Sequence, residues 1–137
     1  MATKIFINLP VKDLSKSISF FSGLGFNFNP QFSDEKAGCM VISDNIFVML
    51  LTESYFQTFT KKPVSDAKTT TEVLITLDSH SKEELKQLVE KAVASGGTVY
   101  NEPQDHGWMY QHGFADLDGH QWELAYMDMS QLPTEEC

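Results

Sequence analysis

The stretch EVLITLDSHSKEELKQLVEKAVASGGTVY, Glu72–Tyr100, decides the fold. Val73, Ile75 and Leu77 alternate with Glu72, Leu74 and Thr76, the period of a strand that buries one face. Ser81-Lys82-Glu83-Glu84 follows as a capping box, in which Ser81 and Glu84 satisfy each other's free backbone amides. Leu85, Leu88, Val89 and Ala92 then recur at i, i+3, i+4 and i+7, which predicts a helix over 82–95, closed by Gly96-Gly97. Strands are expected next at Thr98–Asn101, Trp108–Ala115 and Gln121–Met127, the last two joined by a turn at Asp118-Gly119. The segment therefore reads β-α-β-β-β.

The same order runs through the preceding half of the chain. Lys4–Leu9 alternates, with Ile5, Ile7 and Leu9 on one face and Phe6 and Asn8 on the other. Pro10 ends that strand, and Asp13 caps a helix over 14–23 that carries Leu14, Ile18 and Phe21 on one side. Apolar segments at Phe26–Phe32, Gly38–Ser43 and Ile46–Thr52 complete the copy, with Asp44-Asn45 as a hairpin turn. The two copies are offset by roughly seventy residues, a self-similarity that reads as one unit repeated. In each copy a single helix covers one sheet face and leaves the other bare. The expected fold is α+β: two βαβββ modules forming an open half-barrel cleft, within one domain of 137 residues. Module 1 runs over about 1–52, a connector with Tyr55, Phe56, Phe59 and Pro63 over 53–71, and module 2 over 72–137.

Composition narrows the partners. A formal net charge of −9 argues against nucleic acid or an anionic membrane surface. No apolar run approaches transmembrane length. The two cysteines, Cys39 and Cys137, lack the spacing of a disulfide framework or a structural zinc site, so a cytoplasmic location is expected.

Two further phrases carry a family resemblance. NLPVKDLSKSISFFSGLGFNF (Asn8–Phe28) resembles the opening signature of the glyoxalase/bleomycin-resistance/extradiol-dioxygenase (vicinal oxygen chelate) superfamily. FADLDGHQWEL (Phe114–Leu124) is similar to its closing signature, an Asp-x-Asp-Gly turn into a strand with a penultimate Glu. With VMLLTE (Val48–Glu53) and EPQDHGWMY (Glu102–Tyr110), the chain looks closest to the bacterial group labelled predicted lactoylglutathione lyases.

In metal-using members, the resemblance implies four ligand positions, on the first, fourth, fifth and eighth strands. Here they fall at Phe6, Leu50, Glu72 and Glu123. Phenylalanine and leucine have no donor, and only Glu123 matches the usual residue. No tightly bound cofactor is expected; two carboxylates would hold at most a hard divalent ion such as magnesium or calcium, weakly. Strand parity places Asn8, Thr76 and Gln121 in the cleft with those positions, beside apolar walls at Val48 and Leu74, the usual lining of a small-molecule site. If Trp108–Ala115 points the same way, Tyr110, His112 and Phe114 join them, and Trp108 and Tyr110 offer stacking surfaces for a cationic ligand. His106 and His112 are further imidazoles, each more ordinarily a solvated or hydrogen-bonded side chain.

Two functions fit. In the first, Glu72 and Glu123 face each other, raise one another's proton affinity and move a proton in a non-classical lyase or isomerase reaction. Ordinary glyoxalase I and extradiol dioxygenase activities are disfavoured by the missing ligands. In the second, the protein binds or sequesters a small molecule without metal, as the superfamily's bleomycin-resistance members do. A homodimer is expected, since half-barrel sheets of this superfamily commonly pair and Tyr55, Phe56 and Phe59 would otherwise form an exposed apolar patch.

Overall fold

The computed structural model describes residues 1–131; Cys137 and the end of module 2 lie outside the described residues. The chain divides into two compact units, Met1–Asp66 and Ala67–Cys137, the division falling inside the expected connector. Each unit is a βαβββ module with one four-stranded mixed sheet.

In the first unit, β1 (Ile5–Val11) leads into α1 (Leu14–Gly23), whose first turn is capped by Asp13 accepting from the Lys16 amide at 3.1 Å. The strands β2 (Asn27–Phe28), β3 (Ala37–Ser43) and β4 (Ile46–Thr52) follow, and the sheet order is β1-β4-β3-β2 with β1 parallel to β4. The strand expected over 26–32 is cut to two residues. Asn29 Oδ1 accepts from the Gln31 amide and starts a 3-10 turn at Pro30–Phe32, where proline has no N–H to give a ladder. After β4 the chain forms the short helix α2 (Glu53–Phe56), capped by Thr52 and packed on β1 and β4.

The core of this unit lies between α1 and one sheet face. Leu9 is buried there with Phe20 and Phe21 of the helix, as the alternation of β1 predicts, and Val11 is buried with them because the strand runs on past Pro10. Val48 and Leu50 are fully buried on that same face, because the parallel register pairs Ile7 with Val48 and Leu9 with Leu50. This corrects their expected place beside Phe6 in the cleft. Strand partners side by side share a face, and the residues sharing the face of Phe6 and Asn8 are Phe47 and Met49.

The second unit repeats the plan with β5 (Leu74–Asp78), α3 (Lys82–Ala94), β6 (Gln104–Asp105), β7 (Met109–Ala115) and β8 (Gln121–Met127), in the order β5-β8-β7-β6. Ser81 Oγ accepts from the Glu84 amide at 3.0 Å to start α3. The first strand begins at Leu74 rather than Glu72, and the strand expected over 98–101 reduces to one bridge between Thr98 and Ala115. Its pairing along the outer side of β7 passes to β6. Among the described residues no helix is long and apolar enough to cross a membrane.

The core of this unit is held by Trp122 and Phe114, cross-strand partners whose rings stack at 6.4 Å between centroids. The Asp116–His120 turn is tied to that core. Asp116 Oδ1 accepts from the amides of Asp118 and His120, and its Oδ2 accepts from the Trp122 indole N–H at 3.0 Å. Burial holds the Asp116 carboxyl above its ordinary range, against the lowering pull of His120 and these bonds. Gly119, at φ +92°, takes the left-handed turn conformation, and the Lys68 backbone lies where its side chain would be.

Candidate site on the second sheet

The register of the second sheet sorts its side chains into two faces. On the α3 face, Tyr110, His112 and Phe114 of β7 line up with Tyr126, Leu124 and Trp122 of β8. The ammonium groups of Lys82 and Lys86 lie 5.7 and 5.4 Å from the centre of the Tyr110 ring, which marks that face as the helix-covered one. Tyr110 and His112 are therefore not cleft residues, contrary to the expectation. His112 Nε2 is 2.9 Å from the Asn101 carbonyl, an ordinary backbone partner. Bulky residues occupy both parities of MYQHGFA, so only pairing with β8 decides which way they point.

The opposite face carries Thr76 and Asp78 of β5, Gln121 and Glu123 of β8, and Gln111 and Gly113 of β7. Thr76 and Gly113 flank Glu123 directly, on either side. Gln121 sits between Leu74 and Ala115. This is the polar set that alternation placed together in β5 and β8, while Trp122, Leu124 and Ile75 are buried on the other side.

Glu123 has a partner that sequence alone did not show. The Tyr100 hydroxyl donates to Glu123 Oε2 at 2.9 Å, from the segment that runs along the outer side of β7. Between them lies Gly113. A Cβ at that position would fall 2.2 Å from the Trp122 carbonyl oxygen, 2.6 Å from Glu123 Oε2 and 3.1 Å from the Tyr100 hydroxyl. The missing side chain is what lets the phenol cross the strand and the carboxylate fold over it. A lone glycine in an otherwise bulky strand signals such a close approach, and it was the one available clue. Burial first, then the Glu123 hydrogen bond and charge, push the Tyr100 hydroxyl well above the ordinary tyrosine range, so it keeps its proton and acts as a donor.

Two other expected members in this unit, Glu72 and Trp108, lie outside the strands. Glu72 is exposed, precedes β5, and lies four residues before Thr76, the residue beside Glu123. Glu72, the expected second member of the proton-moving pair, stands in a bend outside the strand that pairs with β8. Trp108 precedes β7, and its carbonyl accepts from Asp128, beyond the far end of β8 from Glu123. In the first unit, Phe6 is 50% exposed and stacks on Phe47 at 4.8 Å with planes 13° apart, while Asn8 is exposed on the same face.

The family's metal positions can be judged on these placements. Phe6 offers a ring, Leu50 is buried under α1, Glu72 stands outside its strand, and one oxygen of Glu123 is occupied by Tyr100. Among the described residues no three His, Cys, Asp or Glu side chains form a group that could hold a metal ion. The donor set does not fit a four-ligand transition-metal centre.

A model of the Glyoxalase/Bleomycin resistance protein/Dioxygenase superfamily matches residues 5–124. The chain belongs to this superfamily. Solved structures similar to this glyoxalase/bleomycin-resistance chain include the hypothetical protein SA1046 from S. aureus, at 32% identity over 92% of this chain and 94% of that one, with a TM-score of 0.79. A glyoxalase/bleomycin resistance protein/dioxygenase family enzyme from Burkholderia phytofirmans PsJN shares 16% identity over 89% of this chain and 96% of that one, at a TM-score of 0.76. The fosfomycin resistance protein FosX from Listeria monocytogenes shares 22% over 92% and 91%, at 0.66. These last two likenesses show the superfamily's fold. No curated protein matches the chain.

Proposed function

We propose that this protein is a metal-independent small-molecule binding protein of the bleomycin-resistance type, and that its ligand is an organic cation. The observation that carries this reading is the carboxylate of Glu123, held by Tyr100 on a sheet face that also carries Thr76, Gln111, Gln121 and a second carboxylate, Asp78. One fixed anion, with a second carboxylate, amides and a hydroxyl on the same face, suits a ligand with N–H donors and positive charge. The net charge of −9 raises the local concentration of cations. The lyase or isomerase reading depended on Glu72 as the second carboxylate, and Glu72 stands in a bend before β5 rather than beside Glu123.

Benzamidinium, a planar cation with paired N–H donors, serves as probe. Titrated into isotopically labelled protein, it is expected to shift the amide signals of Gly113 and Glu123 saturably, and neutral benzamide is expected to leave them still. Glu123→Gln should weaken binding roughly tenfold or more, the value of a hydrogen bond to a charged group. Equal shifts with benzamide, or unchanged affinity in Glu123→Gln, would overturn the assignment. Calorimetry with zinc and nickel tests the metal-independent part: submicromolar binding that disappears in Glu123→Ala contradicts it.

A homodimer belongs to the same proposal. Phe59 is 67% exposed, edge-on to Tyr55 at 5.1 Å, and forms an aromatic surface that a second copy can cover. Sedimentation at high micromolar concentration should give a dimer, and a clean monomer counts against it.

A further inference from the structure

We propose that Tyr100 is the positioning residue of this site: lying across Gly113, it engages one carboxylate oxygen of Glu123 and leaves the other as a single, aimed acceptor for the ligand. The inference rests on the binding function above for its consequence, though not for its geometry.

Three chain segments meet at this point. Tyr100 comes from the outer side of β7, Gly113 from β7 itself and Glu123 from β8. The phenol oxygen and Oε2 both occupy space that any side chain at 113 would fill, so the contact requires the glycine. A half-buried glutamate on a sheet face can be solvated by water alone and sample several rotamers. Here a charge-assisted bond of 2.9 Å selects one. Fixing the acceptor before the ligand arrives removes part of the ordering cost of binding. The same bond takes Oε2 away from bidentate coordination, which further separates this carboxylate from a metal-ligand role. Tyr100 thus acts through Glu123. Thr76, the strand partner of Glu123, and Gln121, two residues before it on the same face, are the neighbouring groups that would select among ligand donors.

The test is Tyr100→Phe, which keeps the ring and removes only the hydroxyl. Protein labelled with carbon-13 at the glutamate side-chain carboxyl reports Glu123 directly, and its resonance is expected to move in the variant. Benzamidinium affinity should fall by five- to tenfold, about the loss of one charge-assisted contact's ordering effect. An unchanged carboxyl resonance overturns the proposal. So does a moved resonance accompanied by wild-type affinity. Should Tyr100→Phe fail to fold, the contact is read from the other side: the Tyr100 ring carbon bearing oxygen must shift in Glu123→Gln, and a stationary signal overturns the assignment. Should wild-type protein not bind benzamidinium while the carboxyl resonance moves in Tyr100→Phe, the positioning contact stands and the proposed ligand class falls.

Discussion

Trp122→Ala is expected to destabilise the protein by about 3–5 kcal/mol, the usual range for removing a fully buried tryptophan. The indole is 0% exposed and stacks on Phe114, so its loss leaves a cavity between β7 and β8 that neither strand can close without breaking its ladder. Its N–H also donates to Asp116, a buried carboxyl that accepts in addition from the Asp118 and His120 amides. Small domains are stable by about 5–15 kcal/mol, so this one change consumes a large share. Trp122→Phe separates the two contributions. It keeps most of the ring contact and removes the donor, and should cost about 1–3 kcal/mol, the penalty of an unsatisfied buried acceptor. Urea unfolding followed by circular dichroism measures both midpoints. A Trp122→Ala midpoint within about 1 kcal/mol of wild type would show that the second core is held elsewhere.

Gly113→Ala should have an effect out of proportion to one methyl group. The new Cβ would meet the Trp122 carbonyl at 2.2 Å, and a backbone oxygen in a paired strand has nowhere to go. Local separation of β7 from β8 is expected to cost about 1–3 kcal/mol, as overpacking in a formed core does. Glu123 Oε2 must leave as well, since 2.6 Å from the same carbon is too close. The Tyr100 contact therefore breaks, and benzamidinium binding should be lost at temperatures where the variant is still folded. Gly38→Ala is the control. Its Cβ meets only side-chain atoms of Ile18, at 3.1 and 3.2 Å, and of Phe28 at 3.4 Å, which can shift slightly. Similar unfolding midpoints and similar binding for the two variants would refute the special role of Gly113.

Alternation was a reliable guide where one parity was polar. In β1, β5 and β8 the sequence pattern placed Leu9, Ile75, Trp122 and Leu124 on the buried side and Asn8, Thr76, Gln121 and Glu123 on the other, and the structure places them so. In β4 it was silent. IFVMLLT is apolar at six of its seven positions, so its period carries no face, and Leu50 went to the core with Leu9. β7 failed for a related reason: Tyr110, His112 and Phe114 alternate with Met109 and Gln111, and both sets are plausible linings.

The sequence by itself determined the two βαβββ modules, since caps at Asp13 and Ser81, glycine stops and hydrophobic periods are local signals that need no long-range contact. It also determined that the first-strand ligand position is a phenylalanine, because residue type alone decides whether a side chain can donate to a metal. The tertiary structure decided which faces β4 and β7 present, through registers set by partners far along the chain. It alone decided that Tyr100 reaches Glu123 over Gly113. Residues separated by 23 positions share no periodicity, and only the packing of β7 against β8 brings their oxygens to hydrogen-bond distance.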